Sequence, residues 1–281
     1  MKIIETVGEM KAASASIRAR GRSIALVPTM GCLHRGHREL VRAARKAADA
    51  VVLSIFVNPA QFGPNEDYSN YPRDMAGDLQ VAGGEAVDIV FAPAPEEVYP
   101  EGFSTCVEVE GPARGLCGAS RPGHFRGVAT VVLKLFNVVR PDRAVFGQKD
   151  YQQLKVIERM VTDLDLDVEI IPVDTVRDPD GLAMSSRNRY LSPAQRRAAL
   201  VIPRSLDAAG AAWSSGERDP AAIVEKMKKI IEVEPAAVVE YVEVRHPETL
   251  EPIKRPGPDG ALVALAVRVG PARLIDNRLL L

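Results

Sequence analysis

The sequence predicts an α/β protein: a Rossmann-like, doubly wound parallel sheet with a smaller C-terminal α+β domain. Two observations predict it. Short apolar runs such as Ile24–Val27 and Ala50–Val57 alternate with stretches of helical periodicity over the first part of the chain, which is the pattern of β-α-β units. Beyond about residue 175 the order changes to helices followed by alternating segments, the pattern of an α+β unit. The expected domains are therefore 1–175 and 176–281.

The bulk properties narrow the function. A chain of 281 residues is long enough for one large domain or two ordinary ones. Its 36 basic and 37 acidic residues leave a formal charge of −1, so no general electrostatic drive toward nucleic acid or an anionic membrane is expected. No apolar run is long enough to span a bilayer, and Met1–Thr6 lacks a signal-peptide apolar region. The three cysteines, Cys32, Cys106 and Cys117, are odd in number and form no Cys-x-x-Cys pair, which fits a reducing cytoplasm. Cys32-x-His34 lacks partners at zinc-ligand spacing, so Cys32 reads as a small turn residue.

Residues 22–29 form the expected first strand and 35–48 the first helix, with Leu40, Val41, Ala44, Ala47 and Ala48 as its apolar stripe. Between them lies Pro28-Thr29-Met30-Gly31-Cys32-Leu33-His34-Arg35-Gly36-His37. In an open α/β sheet, ligands bind where a strand's carboxyl end faces a helix N-terminus. Free backbone N–H groups and the helix dipole are expected there, which suits phosphate. His34 and His37 share a face of the first turn, so two imidazoles are expected to point at it. The alternative is a turn with two solvated histidines.

The continuous run Ala50–Val57 reads as a strand buried on both faces. Pro59 and Gly63 end it, placing the amides of Asn58 and Gln61 at the same sheet edge. A helix is expected from Pro72 to about Ala82, and a strand over Val87–Ala92. The Gly-rich stretch Gly115–Gly123 reads as a loop, a candidate lid. His124–Val139 reads as a long helix whose valines imply burial.

A second strand–glycine–polar–helix junction follows: Arg143–Phe146, then Gly147-Gln148-Lys149-Asp150, then a helix to about Asp163. Lys149 suits phosphate as a point charge, and Asp150 suits a ribose hydroxyl or a metal; a solvated helix start is the alternative. Val168–Val173 is the last strand of this half. Met184-Ser185-Ser186-Arg187 then offers two hydroxyls and a guanidinium, a set fit for phosphate oxygens or simply a polar linker. Ser192-Pro193 and Asp219-Pro220 open helices, and strands are expected over Val238–Val244, Ala261–Val269 and Arg273–Asp276.

Together these stretches resemble the pantothenate synthetase (pantoate–β-alanine ligase) family. The resemblance rests on Pro28-Thr29-Met30-Gly31 with His34-x-x-His37, Phe56-Val57-Asn58-Pro59-x-Gln61-Phe62, Tyr71-Pro72-Arg73, Arg121-Pro122-Gly123-His124-Phe125-x-Gly127-Val128, Phe146-Gly147-x-Lys149-Asp150-x-Gln152-Gln153, Asp180-Gly181-Leu182-Ala183-Met184-Ser185-Ser186-Arg187-Asn188, and Arg273-Leu274-Ile275-Asp276-Asn277. These run in family order from residue 28 to residue 277. The family belongs to the class I nucleotidyltransferase-like superfamily.

The resemblance implies an AMP-forming ligase. Pantoate carboxylate attacks the α-phosphate of ATP to give pantoyl adenylate and pyrophosphate, and the β-alanine amine then displaces AMP; Mg²⁺ accompanies the ATP. Met30, Gly31, Cys32, Leu33, His34, Arg35, Gly36 and His37 are expected to line the ATP site, with His34 and His37 stabilising charge on phosphate. Gly147, Gln148, Lys149 and Asp150 are expected at ribose and phosphate, Val176 at adenine, and Met184, Ser185, Ser186 and Arg187 over the triphosphate. Gln61 and Gln153 are expected to hold pantoate, with help from Asn58, and Tyr71 and Arg121 to sit at the rim. Asp78 is the candidate for the metal region. A cytoplasmic homodimer that binds no nucleic acid and no membrane is implied. The rivals are a nucleotidyltransferase that adenylylates a phosphorylated acceptor, an ADP-forming ligase, and a non-enzymatic nucleotide- or RNA-binding module on the same fold.

Overall fold

A computed structural model of the chain describes residues 1–64 and 66–281. The elements divide between two compact units. The first comprises Met1–Val109, Arg121–Gln148 and Val156–Asp174; the second comprises Glu110–Ser120, Lys149–Lys155 and Thr175–Leu281. In chain order they are β1 (Lys2–Ile4), α1 (Val7–Arg18), β2 (Ile24–Thr29), α2 (Arg35–Ala47), β3 (Ala50–Ile55), α3 (Met75–Gly84), β4 (Ile89–Phe91), α4 (Pro95–Val98), α5 (Leu116–Ser120), α6 (His124–Val139), β5 (Arg143–Gly147), α7 (Tyr151–Asp163) and β6 (Glu169–Val173). Then come α8 (Pro193–Ala199), α9 (Val201–Ser214), α10 (Pro220–Glu232), β7 (Ala237–Arg245), β8 (Ala261–Val269) and β9 (Ala272–Leu280).

The first unit is built on a parallel sheet of order β1-β4-β3-β2-β5-β6. Strands alternate their side chains, so β2 buries Ala25 and Val27 on one face with Val41 and Ala44 of α2 and Ala82 of α3. On the other face α1 and α6 pack on β2. Helices on both faces make the sheet doubly wound. The chain steps from β2 through β3 to β4 on one side and resumes at β5 on the other side of β2. The switch point therefore lies between the carboxyl ends of β2 and β5, where a ligand crevice is expected.

Several expectations change at this level. β1 and α1 leave no pattern in the sequence: only Met10 and Ser14 of α1 are buried, too few to form a stripe. The expected helix at Pro72 starts instead at Met75, capped by Asp74, whose carboxylate accepts from Gly77 N at 3.0 Å. Arg73 keeps the preceding residues out of the helix by donating to the carbonyls of Tyr68 and Tyr71.

The second unit is an antiparallel sheet β7-β8-β9 with helices. Ala261, Val263, Leu265 and Val267 of β8 join the core that includes Ile202, Leu206, Ile223 and Met227 of α9 and α10. Leu262 and Ala264 face the other way, onto Leu116 of α5, Tyr151 of α7 and Leu250. The middle strand is thus apolar throughout because both faces are covered. α5 corrects the reading of residues 115–123 as loop alone. The single expected helix after Ser192-Pro193 is two, α8 and α9. Pro203, in the first turn of α9, has no N–H to continue a helix from α8.

Candidate functional site

The turn from β2 to α2 is set by positive φ at two successive residues, Gly31 (80°) and Cys32 (53°). A Cβ on Gly31 would stand 2.7 Å from Asp78 Oδ2 and 3.0 Å from Ile55 Cγ2, so glycine is required there on two counts. Thr29 Oγ1 donates to Ser54 O at 2.7 Å and accepts from Gly31 N at 3.2 Å. Asp78, in the first turn of α3 and 3% exposed, accepts from Cys32 N at 2.8 Å and from Leu33 N at 2.6 Å.

His34 is the N-cap of α2, outside the helix proper. Its Nδ1 accepts from Gly36 N at 3.1 Å, and His37 Nδ1 accepts from His34 N at 3.2 Å. The pair is a capping box built of imidazoles, with ring centroids 4.0 Å apart and planes at 28°. This arrangement corrects the expectation of free backbone N–H groups. Those of Gly31, Cys32, Leu33, His34 and Gly36 are all taken by side chains of the protein. The capping bonds also fix a tautomer. An imidazole whose Nδ1 accepts carries its proton on Nε2, so both rings offer Nε2–H as donor. The turn thus carries two imidazoles at the positive end of a helix, a setting suited to an anion. Arg35 lies exposed beside them.

The amides at the end of β3 are arranged in depth. Asn58, 1% exposed, donates through Nδ2 to Gly127 O and Gln61 Oε1, each at 3.1 Å. Its Oδ1 accepts from Ala60 N at 3.2 Å and from the Tyr99 hydroxyl at 2.7 Å. Burial pushes that Tyr99 hydroxyl up to about 12, so it stays a donor. Asn58 thus acts through Gln61, holding its amide. Gln61 Nε2 donates to Met30 Sδ at 3.2 Å, which brings the second polar group against the β2–α2 turn. Gly127 makes this possible: a Cβ there would stand 2.2 Å from Ala60 O and 2.7 Å from Gln61 Cα.

Of the two residues expected at a rim, Tyr71 is buried and Arg121 is part-buried. Tyr71 is 6% exposed and meets the Phe62 ring edge-on. Arg121 forms a two-pronged pair with Glu66, both contacts at 2.6 Å, and donates to Gln61 O at 3.2 Å. His124 completes the network, with Nε2 2.9 Å from Arg121 Nη1 and Nδ1 2.8 Å from Gln61 O. The guanidinium fixes Nε2 as acceptor, so Nδ1–H donates to the carbonyl. Burial raises the Glu66 carboxyl, and Arg121 more than offsets it, holding the group at about 2. Gly147 ends β5 at the switch point, followed by Gln148.

In the second unit, Val176 and Met184 face each other across a tight hairpin. Met184 N donates to Val176 O at 2.9 Å, Asp178 N donates to Leu182 O at 2.8 Å, and Gly181 turns the chain at φ 90°. Arg177 and Asp276 lock the hairpin with contacts of 2.7 and 3.0 Å, Asp276 being 1% exposed in its side chain. Ser185 caps the following 3₁₀ turn by accepting from Arg187 N at 3.3 Å, while Ser186 is 7% exposed. Lys149 and Asp150 stand 4.0 Å apart, and Asn277 Nδ2 donates to Lys149 O at 2.9 Å.

Gln152, which sequence reasoning passed over, fixes the segment before α5. Its Oε1 accepts from Cys117 N at 2.9 Å, and its Nε2 reaches the carbonyls of Pro112, Arg114 and Gly115. Gln153, its neighbour, is partly exposed. Only adjacency in the motif Lys149-Asp150-x-Gln152-Gln153 hinted that one of the two amides is structural. Among the described residues, no group of three or more His, Cys, Asp or Glu is arranged to hold a metal. No helix among them is long and apolar enough to cross a membrane.

Comparison with known proteins finds likeness over nearly the whole chain. Residues 2–279 match the family model described as Pantoate-beta-alanine ligase. A pantothenate synthetase of Pelotomaculum thermopropionicum is 56% identical, covering 100% of this chain and 99% of the relative. One of Moorella thermoacetica is 54% identical, covering 99% and 98%. The crystal structure of pantothenate synthetase from Thermus thermophilus superposes with a TM-score of 0.93 at 48% identity, covering 100% of this chain and 99% of that one. A pantoate-beta-alanine ligase from Francisella tularensis, solved in complex with Beta-gamma ATP and Beta-alanine, gives a TM-score of 0.81 at 33% identity, covering 99% and 97%. The fold, the ordered motifs and these matches lead to one conclusion: the chain belongs to the pantoate–β-alanine ligase family.

Proposed function

We propose that the chain condenses pantoate with β-alanine to pantothenate through a pantoyl adenylate. A carboxylate oxygen of pantoate attacks the α-phosphorus of ATP, and the bond to the bridging oxygen of pyrophosphate breaks. The β-alanine amine then attacks the acyl carbon, AMP departs, and the amine loses its proton to water.

The observation that supports this reading most is the contact of Gln61 with Met30, the residue that opens the turn leading to His34 and His37. An amide suited to a hydroxy acid is thereby tied to the turn that carries two imidazoles suited to phosphate. Negative charge builds on the α-phosphoryl oxygens and on departing pyrophosphate, and the two Nε2–H groups are suited to meet that charge as it grows. Removing one preorganised donor of this kind costs about 10²–10³ in kcat. Pyrophosphate leaves as an anion, so no proton transfer to it is required. His34 and His37 serve as donors throughout.

The remaining roles follow the family resemblance. Gln61 and Gln153 hold pantoate. Gly147, Gln148, Lys149 and Asp150 serve ribose and phosphate. Val176 and Met184 form one hairpin face for adenine, and Ser185, Ser186 and Arg187 take the triphosphate. Mg²⁺, travelling with ATP, would neutralise triphosphate charge; the Asp78 carboxylate is engaged with the Cys32 and Leu33 N–H groups, and it is assigned to the turn rather than to the metal. A cytoplasmic homodimer is the setting proposed.

The test is isotopic. Pantoate labelled with ¹⁸O in its carboxylate should leave one ¹⁸O in the phosphate of AMP. Label in inorganic phosphate would indicate an ADP-forming route, and label in neither product would exclude carboxylate attack on phosphorus.

A further inference from the structure

We infer that Asp78 is a positioning residue for the β2–α2 turn, and that it is not a metal ligand. The inference rests on the adenylation reading for its effect on rate, though not for its geometry.

The turn needs an anchor. Cys32 adopts φ 53°, a left-handed conformation that costs an L-residue roughly 1–2 kcal/mol, directly after Gly31 at 80°. Such strain persists only where surrounding contacts over-determine it. Asp78 supplies the contacts. Its carboxylate, 3% exposed, accepts from Cys32 N at 2.8 Å and Leu33 N at 2.6 Å. Charge-assisted bonds of this kind are about twice as strong as neutral ones. Both donors are thereby spent on the protein itself.

The anchor is tied to the rest of the turn by shape. Gly31 has no Cβ, and only that absence lets Asp78 Oδ2 come within 2.7 Å of where one would be. The chain then runs through Leu33 directly into the cap residue His34. A shift at Leu33 is a shift of the imidazole that caps α2, and of the ring stacked on it. The partner sits 45 residues away in the chain, on a different helix, so α3 sets the aim of groups on α2. Among the described residues no His, Cys, Asp or Glu cluster of three or more surrounds a metal position.

The test pairs two substitutions with a measurement on the unchanged chain. Asp78→Asn keeps the size and one acceptor; Asp78→Ala keeps neither. In pantoate-dependent pyrophosphate exchange, Asn should lower kcat by about tenfold to a hundredfold and Ala by more, as expected for a misplacement near 1 Å. The pantoate dissociation constant and the half-saturating Mg²⁺ concentration should stay within about twofold. A metal ligand predicts instead that half-saturating Mg²⁺ rises about 10–100-fold. That result, or an unchanged kcat in Asp78→Asn, would overturn the inference. Should either variant fold poorly, NMR on the unchanged, ATP-saturated chain decides. The Cys32 and Leu33 amide protons should be shifted downfield and protected from exchange, and the Asp78 carboxyl carbon should not follow a Mg²⁺ titration. A carboxyl shift that tracks Mg²⁺ would overturn the inference. If the unchanged chain shows no exchange activity, the adenylate reading fails, while the amide measurement still tests the anchor.

Discussion

His37 Nδ1 accepts the backbone N–H of His34 at 3.2 Å, and the two rings stack with centroids 4.0 Å apart. In each ring Nδ1 makes a capping bond, and Nε2 is the nitrogen proposed to donate to phosphate. The two tasks are separable by substitution. His34→Ala should lose the cap, about 0.5–2 kcal/mol of stability, and a donor, about 10²–10³ in adenylation kcat. His34→Asn restores a cap acceptor without the distal donor. Thermal unfolding should recover toward the unchanged chain while exchange activity stays low. Recovery of both would show that capping alone matters.

Gly127 bears on the other half of the first unit's site. A Cβ there would press on Ala60 O at 2.2 Å, which is backbone and cannot step aside cheaply. Gly127→Ala should destabilise by about 1–3 kcal/mol through overpacking. Because the displaced turn carries Gln61, pantoate KM should rise more than ATP KM. Equal changes in both would argue against Gln61 as a pantoate group.

The Arg121–Glu66 pair predicts a pH dependence. Glu66 is held at about 2 against an ordinary value of 4.5. A depressed carboxylate contributes stability that is full above its unfolded value and lost as pH falls through its folded one. Melting curves of the unchanged chain and Glu66→Gln should differ at neutral pH. The gap should narrow from about pH 4.5 to about pH 2. A gap that stays constant through this window would mean that the pair does not hold the turn.

In the second unit, Asp276 is the buried partner of Arg177, at 2.7 and 3.0 Å. Burial alone would lower the arginine, and Asp276 more than compensates, raising it above its ordinary value. Asp276→Ala leaves a half-buried guanidinium without its carboxylate and should cost about 1–3 kcal/mol. Denaturant melts followed at Trp213, which lies in the same apolar core as Leu182 of the hairpin, would report it.

What the sequence could and could not show divides along physical lines. The parallel sheet was legible because β2, β3 and β5 are buried on both faces and read as apolar runs, and α6 because Val128, Val132, Leu135 and Val139 recur at helical spacing. β1 was not, since three residues carry no pattern. The histidine pair was legible as a motif, but its capping role was not. Imidazole is an uncommon cap, so the turn's N–H groups looked free. Asp78 stands out in the sequence only as an acidic residue near a turn; its contacts with the Cys32 and Leu33 N–H groups span 46 and 45 positions, and only the fold brings them together. Gln152 and Gln153 have the same side chain, and nothing in their spacing shows which one is buried against Cys117 N and which one is not.

The most direct test of the account is pantoate-dependent exchange of labelled pyrophosphate into ATP in the absence of β-alanine. The folded chain should catalyse it, and His34→Ala and His37→Ala should each lose most of that exchange while binding pantoate nearly as before. A chain that makes pantothenate yet shows no exchange, or histidine variants that lose pantoate affinity as much as exchange, would contradict the account.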